Sequence, residues 1–235
     1  MAIRAVLFDL DGTLLPLEQS EFMKLYFGGL AKKIAPRGYD PKALIDAIWT
    51  GAGAMVKNDG SEKNEAIFWR TFTSIFGERI REDMPYFDEY YRNEFWDAKA
   101  ACKPHPLVPE IIRTVKEKGL RPILATNPLF PAISTETRAL WAGLDKNDFE
   151  LITTYENSGF CKPNPAYYLD VASRIGVAPE ECLMIGNDVT EDMVAETVGM
   201  EVFLMTDYLL NRENKDISRY PSGSFEELLK YLKAL

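Results

Sequence analysis

Val6-Leu7-Phe8-Asp9-Leu10-Asp11-Gly12-Thr13-Leu14 is the stretch on which the fold of this chain is read. An apolar run ends abruptly in two carboxylates two positions apart, then a glycine and a threonine. Residues 3–8 have the short, almost wholly apolar character of a buried strand, which places Asp9 and Asp11 at its carboxyl end. Burying unpaired carboxylates is costly unless a cation or hydrogen bonds compensate them. Packing alone therefore gives no reason for the pair. A metal site that also carries a nucleophile and a proton shuttle does.

The bulk properties narrow the classes. With 235 residues the chain can form one large domain, or a domain carrying a smaller insert. A net charge of −9, with no basic stripe, argues against partners such as nucleic acid or an anionic membrane. An anionic substrate must then be attracted by local cations. No apolar stretch reaches the ~20 residues of a membrane span. Cys102, Cys161 and Cys182 are widely spaced and form no CxxC pair, so they read as reduced thiols. Met1-Ala2-Ile3-Arg4 leads straight into the first strand, and a cytoplasmic location is expected. The single histidine, His105, lies between two prolines and reads as a rigid linker residue.

Outward from the opening strand the texture changes. Leu17 to Trp96 reads as four amphipathic helices. The first starts near Ser20 and carries Phe22, Leu25, Tyr26 and Leu30, weakened by Gly28 and Gly29. The second follows the cap Asp40-Pro41, a third starts at Ser61 and ends at Gly77, and a fourth opens at Asp83. Their aromatic stripes read as core. Thr50-Gly51-Ala52-Gly53-Ala54, with Lys57 nearby, reads either as a specificity loop or as a glycine-weakened helix end.

Beyond Pro106 strands and helices alternate. Strands are expected at Pro122–Ala125, Leu151-Ile152, Cys182–Ile185 and Val202–Met205. Helices are expected at Val108–Val115, Ile133–Trp141, after the cap Asn164-Pro165, from Asp188 to Gly199, and after the capping box at Ser224. Asn211 to Gly223 reads as a polar surface loop. The expected architecture is α/β: a doubly wound parallel sheet formed by residues 1–16 and 97–235, with a helical bundle inserted at 17–96.

In such a sheet ligands bind beyond the carboxyl ends of the strands. Asp9 and Asp11, Thr126, Lys162, and Asp188 with Asp192 all reach that edge. Carboxylates, a hydroxyl and an ammonium group gathered there suit a Mg²⁺-dependent phosphoryl site. Mg²⁺ takes oxygen ligands and keeps waters, while threonine and lysine hold the remaining phosphoryl oxygens.

Four ordered motifs now stand together: Asp9-x-Asp11-Gly12-Thr13, Thr126-Asn127, Lys162-Pro163 and Asp188-x-x-x-Asp192. They resemble those of the haloacid dehalogenase (HAD) superfamily, and the insert lies where that family carries its helical C1 cap. The resemblance implies that Asp9 attacks phosphorus and that Asp11 is the general acid and then the general base. It implies Mg²⁺ on Asp9, Asp11 (through its main-chain carbonyl) and Asp188. Thr126, Asn127 and Lys162 would hold phosphate, with Asp192 orienting Lys162 or a metal water. Asn187 or Asp188 could stand nearest the metal, and the spacing to Asp192 favours Asp188.

Halide leaves without a proton, whereas an alkoxide needs one, so Asp11 points to a phosphatase and away from a 2-haloacid dehalogenase. The expected substrate is a small phosphorylated metabolite, and the expected assembly a monomer or homodimer. A phosphomutase is the enzymatic alternative. A phosphonatase, using a lysine such as Lys24, Lys32, Lys42, Lys57 or Lys63, and a non-catalytic binding module are further ones. Pro128-Leu129-Phe130 reads as part of the pocket floor.

Overall fold

The computed structural model describes residues 2–235. The opening strand is β1 (Ala5–Phe8). A helical segment follows it: α1 (Gln19–Ile34), α2 (Pro41–Val56), α3 (Asn64–Phe76), the single turn α4 (Arg79–Glu82), α5 (Met84–Arg92) and a 3₁₀ stretch, Glu94–Ala101. The chain then runs α6 (Val108–Glu117), β2 (Arg121–Leu124), α7 (Ala132–Trp141), β3 (Leu151–Ile152), α8 (Pro165–Ile175), β4 (Cys182–Gly186), β5 (Glu201–Met205), β6 (Ser222–Gly223) and α9 (Phe225–Ala234).

All neighbouring strands are parallel, in the order β3-β2-β1-β4-β5-β6. The order reverses between β1 and β4, which leaves a crevice beyond their carboxyl ends. Every residue of β1 is buried because both faces are covered. Strand alternation sorts them: Val6 and Phe8 join one core cluster with α6, α9 and the helical insert, and Ala5 and Leu7 join another with α8.

The insert is not a separate globule. Its aromatic core runs into the body through Phe95, whose ring stacks on Trp141 of α7 at 5.1 Å. The two connecting segments also pair with each other: Lys103 N–H donates to the Pro16 carbonyl at 2.8 Å, and Glu18 N–H to that of Ala101 at 3.1 Å.

Several elements differ from the sequence reading. The third helix starts at Asn64, not Ser61, because the Asn64 side chain is buried and tied to Pro128 and Cys161 of the body. Asp83 opens α5 without capping it: its carboxylate turns to Arg37 and Tyr39. Thr50–Ala54 is not a loop: it lies in the last two turns of α2, which ends at Val56, as the helix-end reading has it. Gly51 is needed there because a Cβ would come within 2.6 Å of the Phe68 ring on α3. Asp188 to Gly199 forms a turn and a 3₁₀ stretch, Met193–Val198, in place of an α-helix. The polar segment after Asn211 ends in a sixth strand, β6, which follows the edge of β5. His105 stacks on Phe225 with ring centroids 4.2 Å apart, a packing role.

Candidate active site

The sequence of β1 dictates its ending. Gly12, at φ +87, turns the chain sharply, and its missing Cβ leaves room for the Asn187 side chain, which would otherwise stand 2.3 Å away. Asn187 accepts from the Thr13 hydroxyl at 3.1 Å and donates to the Tyr208 carbonyl at 2.7 Å. It therefore fastens the β1 turn to the β4 turn, with both ends of its amide engaged.

Asp9 and Asp11 face a cavity of about 170 Å³, together with Thr126, Asn127, Asp188 and Asp192. Lys162 is completely buried beneath it. Its Nζ donates to Asp9 Oδ1 at 2.9 Å and to Asp192 Oδ1 at 2.7 Å. The two carboxylates hold the ammonium well above its ordinary pKa although burial acts the other way. Burial pushes Asp192 upward, and Lys162 pulls it back. Asp192 also accepts from the main-chain N–H of Asp188 at 3.0 Å, so one acid links the lysine to the β4 turn.

The Thr126 carbonyl is held by the Thr153 hydroxyl at 2.7 Å and the Tyr167 hydroxyl at 2.9 Å. Tyr167 lies on α8, which Asn164 starts by accepting from the Ala166 N–H at 3.0 Å. Asn127 donates from Nδ2 to Glu191 at 3.1 Å, while its Oδ1 is buried without a partner. Asp188 Oδ1 accepts from the N–H groups of Thr190 and Glu191 at 2.8 and 3.0 Å. Its Oδ2 pairs with Arg212 at 2.7 Å.

Asp11 takes a different partner from Asp9. Its carboxylate pairs with Arg138 of α7, an arginine almost wholly buried, whose guanidinium lies 4.3 Å from the Phe130 ring centre. Asp11 Oδ1 and Arg138 Nη2 remain buried without partners. Burial raises the Asp11 pKa, and Arg138 opposes it. No three His, Cys, Asp or Glu side chains among the described residues converge as a metal-binding cluster.

Arg138, Arg212 and Glu191 escaped the sequence reading. Arg138 sits in an ordinary amphipathic helix 127 positions from its partner, and Arg212 in a polar stretch. Glu191 did lie inside the Asp188–Asp192 turn, where a third acid was the available signal. Leu129 and Phe130 do line the cavity.

A doubly wound parallel sheet, an inserted helical layer and a lysine between two aspartates at the switch point define a class, and this chain belongs to it: the haloacid dehalogenase-like hydrolases, whose family model matches residues 3–195. It is 26% identical over 223 residues to the glyceraldehyde 3-phosphate phosphatase of Methanothermobacter thermautotrophicus, covering 92% of each chain. It is likewise 26% identical over 235 residues to the phosphoglycolate phosphatase of Colwellia psychrerythraea, covering 97% of this chain and 96% of the other. Among solved structures, a 2-haloacid dehalogenase from Pseudomonas syringae pv. Tomato has the same fold with TM-score 0.63 at 18% identity, covering 99% of this chain and 98% of that one. A HAD phosphatase from Thermococcus onnurineus gives 0.59 at 20%, covering 98% of both. No helix among the described residues is long and apolar enough to cross a membrane.

Proposed function

We propose that this hydrolase is a phosphatase that cleaves a small phosphomonoester through an aspartyl-phosphate on Asp9, with residues 17–96 acting as its cap. The observation that carries the reading is the buried Lys162 bridging Asp9 and Asp192, which line the cavity together with Asp11 and Asp188. An Asp9 oxygen attacks phosphorus, and the P–O bond to the leaving group breaks with its electron pair on the ester oxygen. The Asp11 carboxyl gives that oxygen its proton. Water then loses a proton to Asp11 and attacks the same phosphorus. The bond to Asp9 breaks, and phosphate departs. Lys162, with Thr126 and Asn127, neutralises and positions the transferring oxygens. The raised pKa of Asp11 supports its acid role.

The donor types, carboxylate and main-chain oxygen, suit Mg²⁺, although no three such side chains converge on one point among the described residues. Asp9, Asp11, Asp188, Glu191 and Asp192 are set against three cations, Lys162, Arg138 and Arg212, which leaves the acids in excess. The carboxylates of Asp9 and Asp188 and the main-chain carbonyl of Asp11 would hold the ion. When bound, it supplies charge neutralisation between the nucleophile and the phosphate.

A panel of phosphorylated metabolites assayed with Mg²⁺ tests the reading, with Asp9→Asn as the blank. Release of phosphate from one or more esters, absent from the blank, is expected. No release from any ester would refute it.

A further inference from the structure

A second cavity lies beside the acid-lined one. About 270 Å³ of space lies between the helical insert and the loop after β2, walled by aromatic rings that include Tyr26, Trp49, Phe68, Trp69, Phe87 and Phe130. The two spaces share Gln19, Leu129, Phe130 and Glu191, so the aromatic chamber adjoins the place where a phosphate would meet Asp9.

The chemistry of its wall is one-sided. Asp88 and Glu191 are its charged residues, both carboxylates, and no lysine, arginine or histidine lines it. The hydroxyls of Tyr26 and Tyr91 are bonded to each other at 2.9 Å, so one of their two O–H donors is spent between them. The indole N–H of Trp69, buried without a hydrogen bond, is one donor of the wall, beside the Gln19 amide and the Tyr155 hydroxyl. A leaving group with a carboxylate or a second phosphate would meet two acids and no cation. One with several hydroxyls could bond to the few polar groups of the wall, but any hydroxyl set against the aromatic rings that make up most of it would lose its bonds to water. An apolar group avoids both penalties and gains from leaving water.

Building on the phosphatase reading, we infer that this chamber holds the leaving group of the substrate. That group is the residue of a compact apolar alcohol with no anionic substituent. A cavity of about 150 Å³ accommodates benzene, so this one has room for a ring with a short alkyl arm.

Two measurements test the inference on the intact protein with Mg²⁺. In the first, kcat/KM is compared for 2-phenylethyl phosphate and phosphoglycolate, and a preference of about a hundredfold for the former is expected. Ala52→Phe or Ile48→Trp, which fill the chamber from α2, should erase that preference. Both should spare acetyl phosphate, whose leaving group is too small to reach it. In the second, 2-phenylethanol is titrated against the intrinsic tryptophan fluorescence, to which Trp49 and Trp69 of the chamber contribute beside Trp96 and Trp141, and this requires no turnover. Saturable binding that either filling variant removes is expected.

Equal or inverted preference between the two esters overturns the inference and leaves the phosphatase reading intact. Saturable binding of the alcohol without hydrolysis of any ester keeps the chamber as an apolar site and overturns the reading. Absence of both binding and hydrolysis overturns the two together.

Discussion

Asp11 and Arg138 form the contact on which the proposed proton transfer turns. The guanidinium is buried, lies over Phe130 and pairs with the one acid of the motif that Lys162 does not reach. Asp11→Asn should lower steady-state turnover of an alkyl phosphate by about a hundredfold or more, while Asp9 still becomes partly phosphorylated. Unchanged turnover would contradict the acid–base role. Arg138→Met should lower kcat by about tenfold, with Arg138→Lys intermediate because lysine keeps the charge and loses the planar fork. Circular dichroism of both variants guards against a folding artefact. A fall confined to KM would place Arg138 in substrate binding and not in holding Asp11.

At the level of elements, the helical layer is fastened by a buried acid. Asp83, between α4 and α5, accepts from Arg37 at 2.8 Å and from the Tyr39 hydroxyl at 2.7 Å, both in the corner between α1 and α2. Burial alone would raise its pKa, but these two partners outweigh it and hold the carboxyl below its usual range. The Tyr39 hydroxyl is pushed up to about 12, by burial and then by Asp83. A carboxyl depressed in the folded state contributes stability that is fully present above its unfolded pKa. That contribution is lost as pH falls through the folded value. Asp83→Asn should therefore lower the melting temperature by several degrees at neutral pH, and the gap to the parent should narrow in acid. A gap that stays constant down to pH ~3, below the ordinary aspartate range, would show that the carboxylate's charge is not what matters.

For the whole molecule, the site exists only where sheet, helical layer and late loops meet. Excess carboxylate charge at the switch point opposes folding, and a bound divalent cation should relieve it. Millimolar Mg²⁺ should raise the melting temperature of the parent, and Asp188→Asn should abolish most of that rise without need of any substrate. An equal rise in both proteins would place the ion elsewhere. The path from residue order to this assembly was partly legible. The strand ends, the caps at Asp40, Asn164 and Ser224, and the order of the four motifs are local signals that periodicity and turn chemistry carry. The sixth strand was not legible, because Ser222-Gly223 has no apolar pattern. It exists because the N–H groups of Leu204 and Thr206 find the Pro221 and Gly223 carbonyls.

The sequence by itself determined that two acids end a buried strand, that a helical layer interrupts the sheet after it, and that a lysine, a threonine and further acids return to the same edge. Those are consequences of backbone geometry and side-chain period, which neighbours along the chain specify. Only the tertiary structure decided which partner each acid takes: Lys162 for Asp9 and Asp192, Arg138 for Asp11, Arg212 for Asp188. Pairing inside a protein depends on distance through space and on burial, and these partners are 24 to 153 positions apart. The aromatic chamber has the same origin, since rings read as ordinary helix core line a cavity only once the insert lies over the loop after β2.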